Sequence, residues 1–147
     1  MNKVILLDVD GVLNTSDDRA VYGMDYICPE KTSYLAMIVR RTGAKIVYST
    51  SWRLTEKHCS LLDSALLHAG VLNEVIGKTP ALFSACRGTE INMWLADNPT
   101  DKFVVIDDDA AVAVKENLFP TFFKTKDTQG LTYKTALKII KVLNNIG

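Results

Sequence analysis

The sequence predicts an α/β fold, a central parallel five-stranded sheet with helices on both faces, making a three-layer sandwich. Two patterns carry this reading. Short apolar runs rich in branched and aromatic residues recur at 4–7, 46–48, 103–106 and 121–123, with a weaker one at Val75-Ile76, and runs of that length and composition suit buried strands. Between them stand stretches of helical spacing, and strands that alternate with helices build parallel sheets covered by helices. A third pattern concerns function. Several runs end in carboxylates or hydroxyls, and open α/β sheets bind their ligands beyond the carboxyl ends of the strands.

The first run, Val4-Ile5-Leu6-Leu7, leads into Asp8-Val9-Asp10-Gly11. On an extended chain, residues two apart point to the same side. Asp8 and Asp10 can therefore divide the labour, one attacking an electrophile while the other handles a proton or helps hold a metal. Tyr34 to Arg41 has helical spacing, with Gly43 placed to end it. Lys45-Ile46-Val47-Tyr48 then runs into Ser49-Thr50-Ser51-Trp52-Arg53. Three hydroxyls in a row exceed what capping the next helix requires, and with backbone N–H groups they can bind phosphate.

A second helix is expected over 61–69, ending near Gly70. The weak third strand precedes Gly77-Lys78-Thr79-Pro80, and Arg87 opens Arg87-Gly88-Thr89-Glu90-Ile91 ahead of a helical stretch at 91–95. The run Lys102 to Ile106 ends in Asp107-Asp108-Asp109. Adjacent carboxylates repel one another unless positive charge is close, and Mg²⁺, which favours a few carboxylate oxygens plus water and substrate phosphate, is the economical partner. Helical stretches at 110–117 and 133–143 complete the alternation. The last places Ala136, Leu137, Ile140 and Leu143 on one face and Lys134, Lys138 and Lys141 on the other, as in a helix lying on a sheet.

Composition narrows the function. The 147 residues suit a single domain spanning 1–147. Lys plus Arg equals Asp plus Glu at 17 each, so no global basic field draws in nucleic acid or anionic membrane, and any polyanion site must be local. No apolar run approaches membrane-spanning length or resembles a secretory leader, which points to a cytoplasmic protein. Cys28, Cys59 and Cys86 show no metal-ligand spacing.

In their order, these stations resemble the haloacid dehalogenase (HAD) superfamily of aspartate-nucleophile phosphotransferases, and the likeness covers nearly the whole chain. That family's first motif, Asp-x-Asp-Gly-[Thr or Val]-Leu, is matched by Asp8-Val9-Asp10-Gly11-Val12-Leu13. The resemblance implies a Rossmann-like sheet, Asp8 as nucleophile, Asp10 as general acid and base, and a hydroxyl closing the second strand, with Ser49 the first choice and Thr50 the second. It also implies that Asp107-Asp108 is the acidic pair whose second member reaches the metal, so Asp8, Asp10, Asp107 and Asp108 are the candidate Mg²⁺ ligands. Two residues compete for the basic station. Lys78 is followed closely by Pro80, whereas Arg87 has the more usual spacing to Asp107 and is preferred.

Substrate choice in this superfamily usually follows from cap insertions, and neither customary position carries a large one here, so a minimal cap and an open site are expected. Arg19 and Arg53 resemble the arginines that polynucleotide 3'-phosphatases of the superfamily use near the scissile phosphate. Ser51-Trp52-Arg53, Arg87-Gly88-Thr89-Glu90-Ile91 and Gly130-Leu131-Thr132 are similar to HAD domains attached to RNA-repair proteins. The resemblance thus implies a Mg²⁺-dependent phosphatase acting on nucleotide or nucleic-acid-end phosphates, with Arg19, Thr50, Arg53 and Lys78 on the substrate. Alternatives are a phosphatase of small phosphometabolites and a receiver-like or phosphate-binding module without turnover. Arg19 and Arg53 can equally pair with Asp17, Asp18 or Glu56, and Trp52 can stack on a base or cover the edge of the core.

Overall fold

A computed structural model describes residues 2–82, 86–109 and 121–145. Strands β1 (Lys3–Leu7), β2 (Lys45–Tyr48), β3 (Val75–Lys78), β4 (Lys102–Asp107) and β5 (Phe122–Lys124) form one sheet in the order β3-β2-β1-β4-β5. Every neighbouring pair is parallel. The five-stranded α/β reading is therefore correct, including the weak third strand, which lies at an edge and alternates in burial.

The described helices are α1 (Ser16–Tyr22), α2 (Pro29–Thr42), α3 (Glu56–His68), α4 (Arg87–Asp97) and α5 (Tyr133–Asn144). Side chains alternate across the pleat, so the three central strands feed two cores. Ile5, Leu7, Ile46, Tyr48, Val104 and Ile106 pack with Leu35 and Ile38 of α2, Leu62 and Leu66 of α3, and Ala136 and Ile139 of α5. Val4, Leu6, Val47 and Val105 face the other way, onto Ile91 and Trp94 of α4. This is the three-layer arrangement. Beneath the first face, Tyr48 Oη donates to Asp63 Oδ1 over 2.7 Å. Burial, then this hydrogen bond, pushes the Tyr48 hydroxyl well above its usual range.

Three differences from the sequence reading have physical causes. The helix α1 has no periodic signal in the sequence because it buries no residue and has no apolar stripe. Its signal is local, a capping box in which the Thr15 side chain accepts from Asp18 N while the Asp18 side chain accepts from Thr15 N. On α5 the buried stripe is Ala136, Ile139 and Leu143, whereas Leu137 is 39% exposed. At about 100° per residue, 136, 139 and 143 align while 137 turns toward solvent. The three lysines of that helix are exposed as expected. The stretch 110–117 lies outside the described residues.

Only α1 and α2 stand between β1 and β2, and only α3 with two short 3-10 turns (Ser51–Leu54 and Leu72–Glu74) between β2 and β3. The carboxyl edge of the sheet has no inserted cap from either crossover.

Candidate active site

Strand register assembles the site. Leu7 of β1 pairs with Tyr48 of β2 on one side and Ile106 of β4 on the other. The next residues along, Ser49, Asp8 and Asp107, therefore emerge side by side. Asp8 N donates to Ile106 O over 3.1 Å and Ser49 N to Leu7 O over 3.0 Å, extending the ladder into the site. Asp8 is 4% exposed, and Ser49 and Asp107 are fully buried.

Asp8, Asp107 and Asp108 each offer a carboxylate oxygen, and these atoms lie within 4.8 Å of one another. Burial and, next, the neighbouring Asp107 push the Asp8 carboxyl from 3.8 to about 8, against the pull of Arg87 and the Val9 backbone N–H. Asp108 is also raised, first by burial and then by Asp107. The Arg87 guanidinium supplies part of the missing positive charge. Its Nη1 lies 2.7 Å from Asp107 Oδ2 and 3.4 Å from Asp8 Oδ2. Burial works against the Arg87 charge, but Asp8 and Asp107 outweigh it and hold the side chain firmly protonated. Three carboxyl groups beside one guanidinium resist ionising together in a poorly solvated place without further positive charge. An all-oxygen donor set of this kind fits a hard divalent cation.

Asp10 stands apart from that cluster. Residues 9–13 make one helical turn, with Val12 N and Leu13 N both donating to Val9 O. Asp10 and Asn14 consequently share a face, and Asn14 Nδ2 donates to Asp10 Oδ1 over 3.0 Å. Trp52 Nε1 donates to Asp10 Oδ2 over 3.3 Å. Gly11 makes the turn possible. It has φ +79°, and a Cβ there would lie 2.3 Å from Asp108 Oδ2. Gly11→Ala will therefore strain the backbone by roughly 1–2 kcal/mol and displace Asp108. Calorimetric Mg²⁺ titration should show at least about tenfold weaker binding, corresponding to about 1.4 kcal/mol, and unchanged binding would refute the crowding argument.

The remaining candidates divide. Among the described residues, Ser49 Oγ is the buried side-chain polar atom without a hydrogen-bond partner. Such an atom calls for a ligand or water. Thr50 instead uses its hydroxyl to accept from Trp52 N at 3.2 Å, as the cap of the 3-10 turn. Arg53 is buried and spent on the protein itself. Its guanidinium donates to the carbonyls of Thr79, Thr50 and Pro80 and lies 3.0 Å from Glu90 Oε2. Arg19 grips both oxygens of Asp127 at 2.7 and 2.8 Å and Asn14 Oδ1 at 2.7 Å. Asp127 is thus the partner of Arg19, in place of the Asp17 or Asp18 weighed from sequence. Lys78 ends β3 beside Tyr48 and lines a groove with Thr55, Glu56 and Asp63, away from the carboxylate cluster. A second cavity of about 330 Å³ has Ser51, Leu54, Leu82, Arg87 and Glu90 in its walls.

The sequence reading missed Asn14 and Thr125. Asn14 is fully buried, and its signal was a polar amide directly after Val12-Leu13, one helical turn beyond Asp10. Thr125 Oγ1 donates to Gly11 O over 2.6 Å and Thr125 N to Asp107 O over 3.0 Å. It ties the end of β5 to the Asp10 loop, and nothing local in the sequence marks it.

The family of HAD domains in Swiss Army Knife RNA repair proteins matches residues 4–136. The chain belongs to that family. The matched stretch holds every carboxylate of the site together with Ser49 and Arg87. HAD membership brings phosphatase-type hydrolase chemistry, typically with a divalent metal, and the matched family sets it in the context of RNA repair. No curated protein and no solved structure matches the chain. None of the described helices is long and apolar enough to cross a membrane.

Proposed function

We propose that this HAD domain is a Mg²⁺-dependent phosphomonoester hydrolase that works through an aspartyl-phosphate on Asp8 and removes phosphate from nucleotide or nucleic-acid ends. The observation that carries the reading is the setting of Asp8, a buried carboxyl with the Arg87 guanidinium 3.4 Å away and with Ser49, whose hydroxyl has no partner, leaving the adjacent strand at the same level. A phosphoryl group placed there meets a nucleophile, a neutral donor and a cation at once.

In the proposed reaction an Asp8 oxygen attacks phosphorus in line, the bond to the ester oxygen breaks, and Asp10 gives that oxygen its proton. Asp10 then takes a proton from water as the water attacks the aspartyl-phosphate, freeing Asp8 and inorganic phosphate. Asp8, Asp107 and Asp108 would hold the metal, which neutralises charge on the phosphoryl oxygens when bound. Ser49 donates to a phosphoryl oxygen, and Arg87, rather than Lys78, serves as the basic station. Because Arg19, Thr50 and Arg53 direct their polar groups at other parts of the protein, their proposed role is to shape the site around the substrate.

Two features support the substrate class. The carboxyl edge, which receives no inserted cap from the first two crossovers, leaves room for a chain end. The cavity beside Arg87 sets Leu54 and Leu82 against Ser51 and Glu90, a mixed lining suited to the sugar and base that follow the phosphate. With 17 basic and 17 acidic residues, a long electrostatic track along a phosphate backbone is not expected, so recognition should concentrate on the terminal nucleotide.

The test is phosphate release from 3'- and 5'-phosphorylated oligoribonucleotides, mononucleotides and sugar phosphates, with Mg²⁺ and with chelator. Metal-dependent release from oligonucleotide ends is expected. Release confined to mononucleotides or sugar phosphates would shift the substrate to metabolites, and no release from any of them would sink the phosphatase reading.

A further inference from the structure

The phosphatase reading needs Asp10 to transfer protons, and the structure shows how its carboxyl is aimed. Each of its two oxygens accepts one hydrogen bond from a neutral N–H, Oδ1 from Asn14 and Oδ2 from Trp52. A carboxylate offers about four lone-pair sites. Both oxygens therefore keep capacity for a proton while the side chain is fixed from two directions.

Neither donor is free to turn away. The Asn14 amide is used completely. Its Oδ1 accepts from Gly11 N at 3.1 Å and from Arg19 Nη1 at 2.7 Å, and its Nδ2 donates to Tyr26 O at 3.0 Å as well as to Asp10. Two donors on Oδ1 set the amide orientation, because a flipped amide would bring N–H against N–H. Arg19 is itself locked by both oxygens of Asp127. From the other side, Trp52 is 4% exposed, so its indole offers no open face to a base. The indole meets the His58 ring in a T-shaped contact, 5.1 Å between centroids, and His58 is held in turn by Thr55 and Asp25. The two supports come from different crossovers, one after β1 and one after β2.

We infer that Trp52 and Asn14 are positioning residues that hold the Asp10 carboxyl toward the leaving oxygen, and that this device adapts the site to poor, alkoxide leaving groups such as the hydroxyl of a ribose. The inference rests on the phosphatase reading. An aryl phosphate, whose leaving group departs without protonation, does not need the device.

The decisive variant is Trp52→Phe, which keeps an aromatic ring in the core and removes the N–H. With the full chain and Mg²⁺, kcat/KM is measured on a 3'-phosphorylated oligoribonucleotide and on p-nitrophenyl phosphate. The alkyl ester should lose about 10- to 100-fold, the scale of a misplaced catalytic group, while the aryl ester loses less than about threefold, so that the ratio of the two shifts. In an Asp10→Asn background the same change should cost the alkyl ester nothing further, since the residue it positions is gone. Equal losses on both esters, or an additive loss in the double variant, would show Trp52 to be a packing residue and overturn the inference while leaving the phosphatase reading intact. Wild-type protein that cleaves neither ester overturns both. Because Asn14 is so heavily used, Asn14→Leu is judged first by its melting temperature and then by the same ratio.

Discussion

Asp8→Asn will abolish phosphate release and at the same time raise the melting temperature of the metal-free protein. The first effect follows from the proposed role, since removing the nucleophile of a covalent hydrolase costs roughly 10⁴-fold or more in kcat. The second follows from burial. Asp8 has its carboxyl raised from 3.8 to about 8, chiefly by desolvation and then by Asp107. A carboxyl whose folded value lies above its unfolded value binds protons more tightly in the folded state. The stability this contributes is fully present below 3.8 and is lost as pH rises through about 8. Metal-free wild type should therefore lose stability between those limits, by an amount on the order of a few kcal/mol given 1.4 kcal/mol per unit.

The amide of Asn cannot ionise, so the variant should show a flatter pH profile and a higher melting temperature near neutrality. Thermal scans from pH 4 to pH 8 with chelator check this. A variant less stable than wild type at neutral pH would mean that the carboxylate cluster is not under electrostatic strain. With the proposed metal site in place, added Mg²⁺ should narrow the gap, because a ligand of the folded state adds stability by mass action.

Arg53→Met is expected to give the largest loss of stability. The guanidinium is 4% exposed and its partner Glu90 11% exposed, and it also satisfies three backbone carbonyls. Methionine has a comparable apolar stem but leaves the Glu90 carboxylate buried beside no cation. Breaking one side of a buried pair in this way costs about 3–5 kcal/mol, equivalent to roughly 10 °C in melting temperature for a chain of this size. Arg53 also fastens the segment after β3 to the 3-10 turn after β2, both of which contribute walls to the cavity beside Arg87. The double variant Arg53→Met with Glu90→Gln should recover part of the loss, because the stranded charge is removed. If Arg53 instead bound substrate directly, the single variant would raise KM with its melting temperature nearly unchanged. The two measurements together decide between these roles.

The contrast between Asp8 and Arg53 shows which parts of the site can be read along the chain. Asp8, Ser49 and Asp107 were legible because each follows a short apolar run, and parallel register carries residues at strand ends to one edge of the sheet. Arg19 and Arg53 were legible as arginines near the site but not as residues already engaged. Arg19 meets Asp127 across 108 residues of sequence, and Arg53 meets carbonyls and a carboxylate beyond β3. No local pattern encodes such pairings. Asn14 is an intermediate case, since its spacing to Asp10 is local while its burial and its link to Arg19 are not.

By itself the sequence determined the α/β class, the order of the strands along the chain and the acidic and hydroxyl stations at their carboxyl ends. Strand periodicity, helix periodicity and turn chemistry act over a few residues, so they leave their mark in the order of the letters. Tertiary structure decided which side chains face one another: Arg87 rather than Lys78 beside Asp8, Asp10 held by Asn14 and Trp52 apart from the carboxylate cluster, and Arg19 and Arg53 turned inward as struts. Those outcomes depend on charges and hydrogen-bond donors brought together from distant segments. In a poorly solvated interior a buried charge or polar group must find a partner there, and only the folded chain determines which partner is within reach.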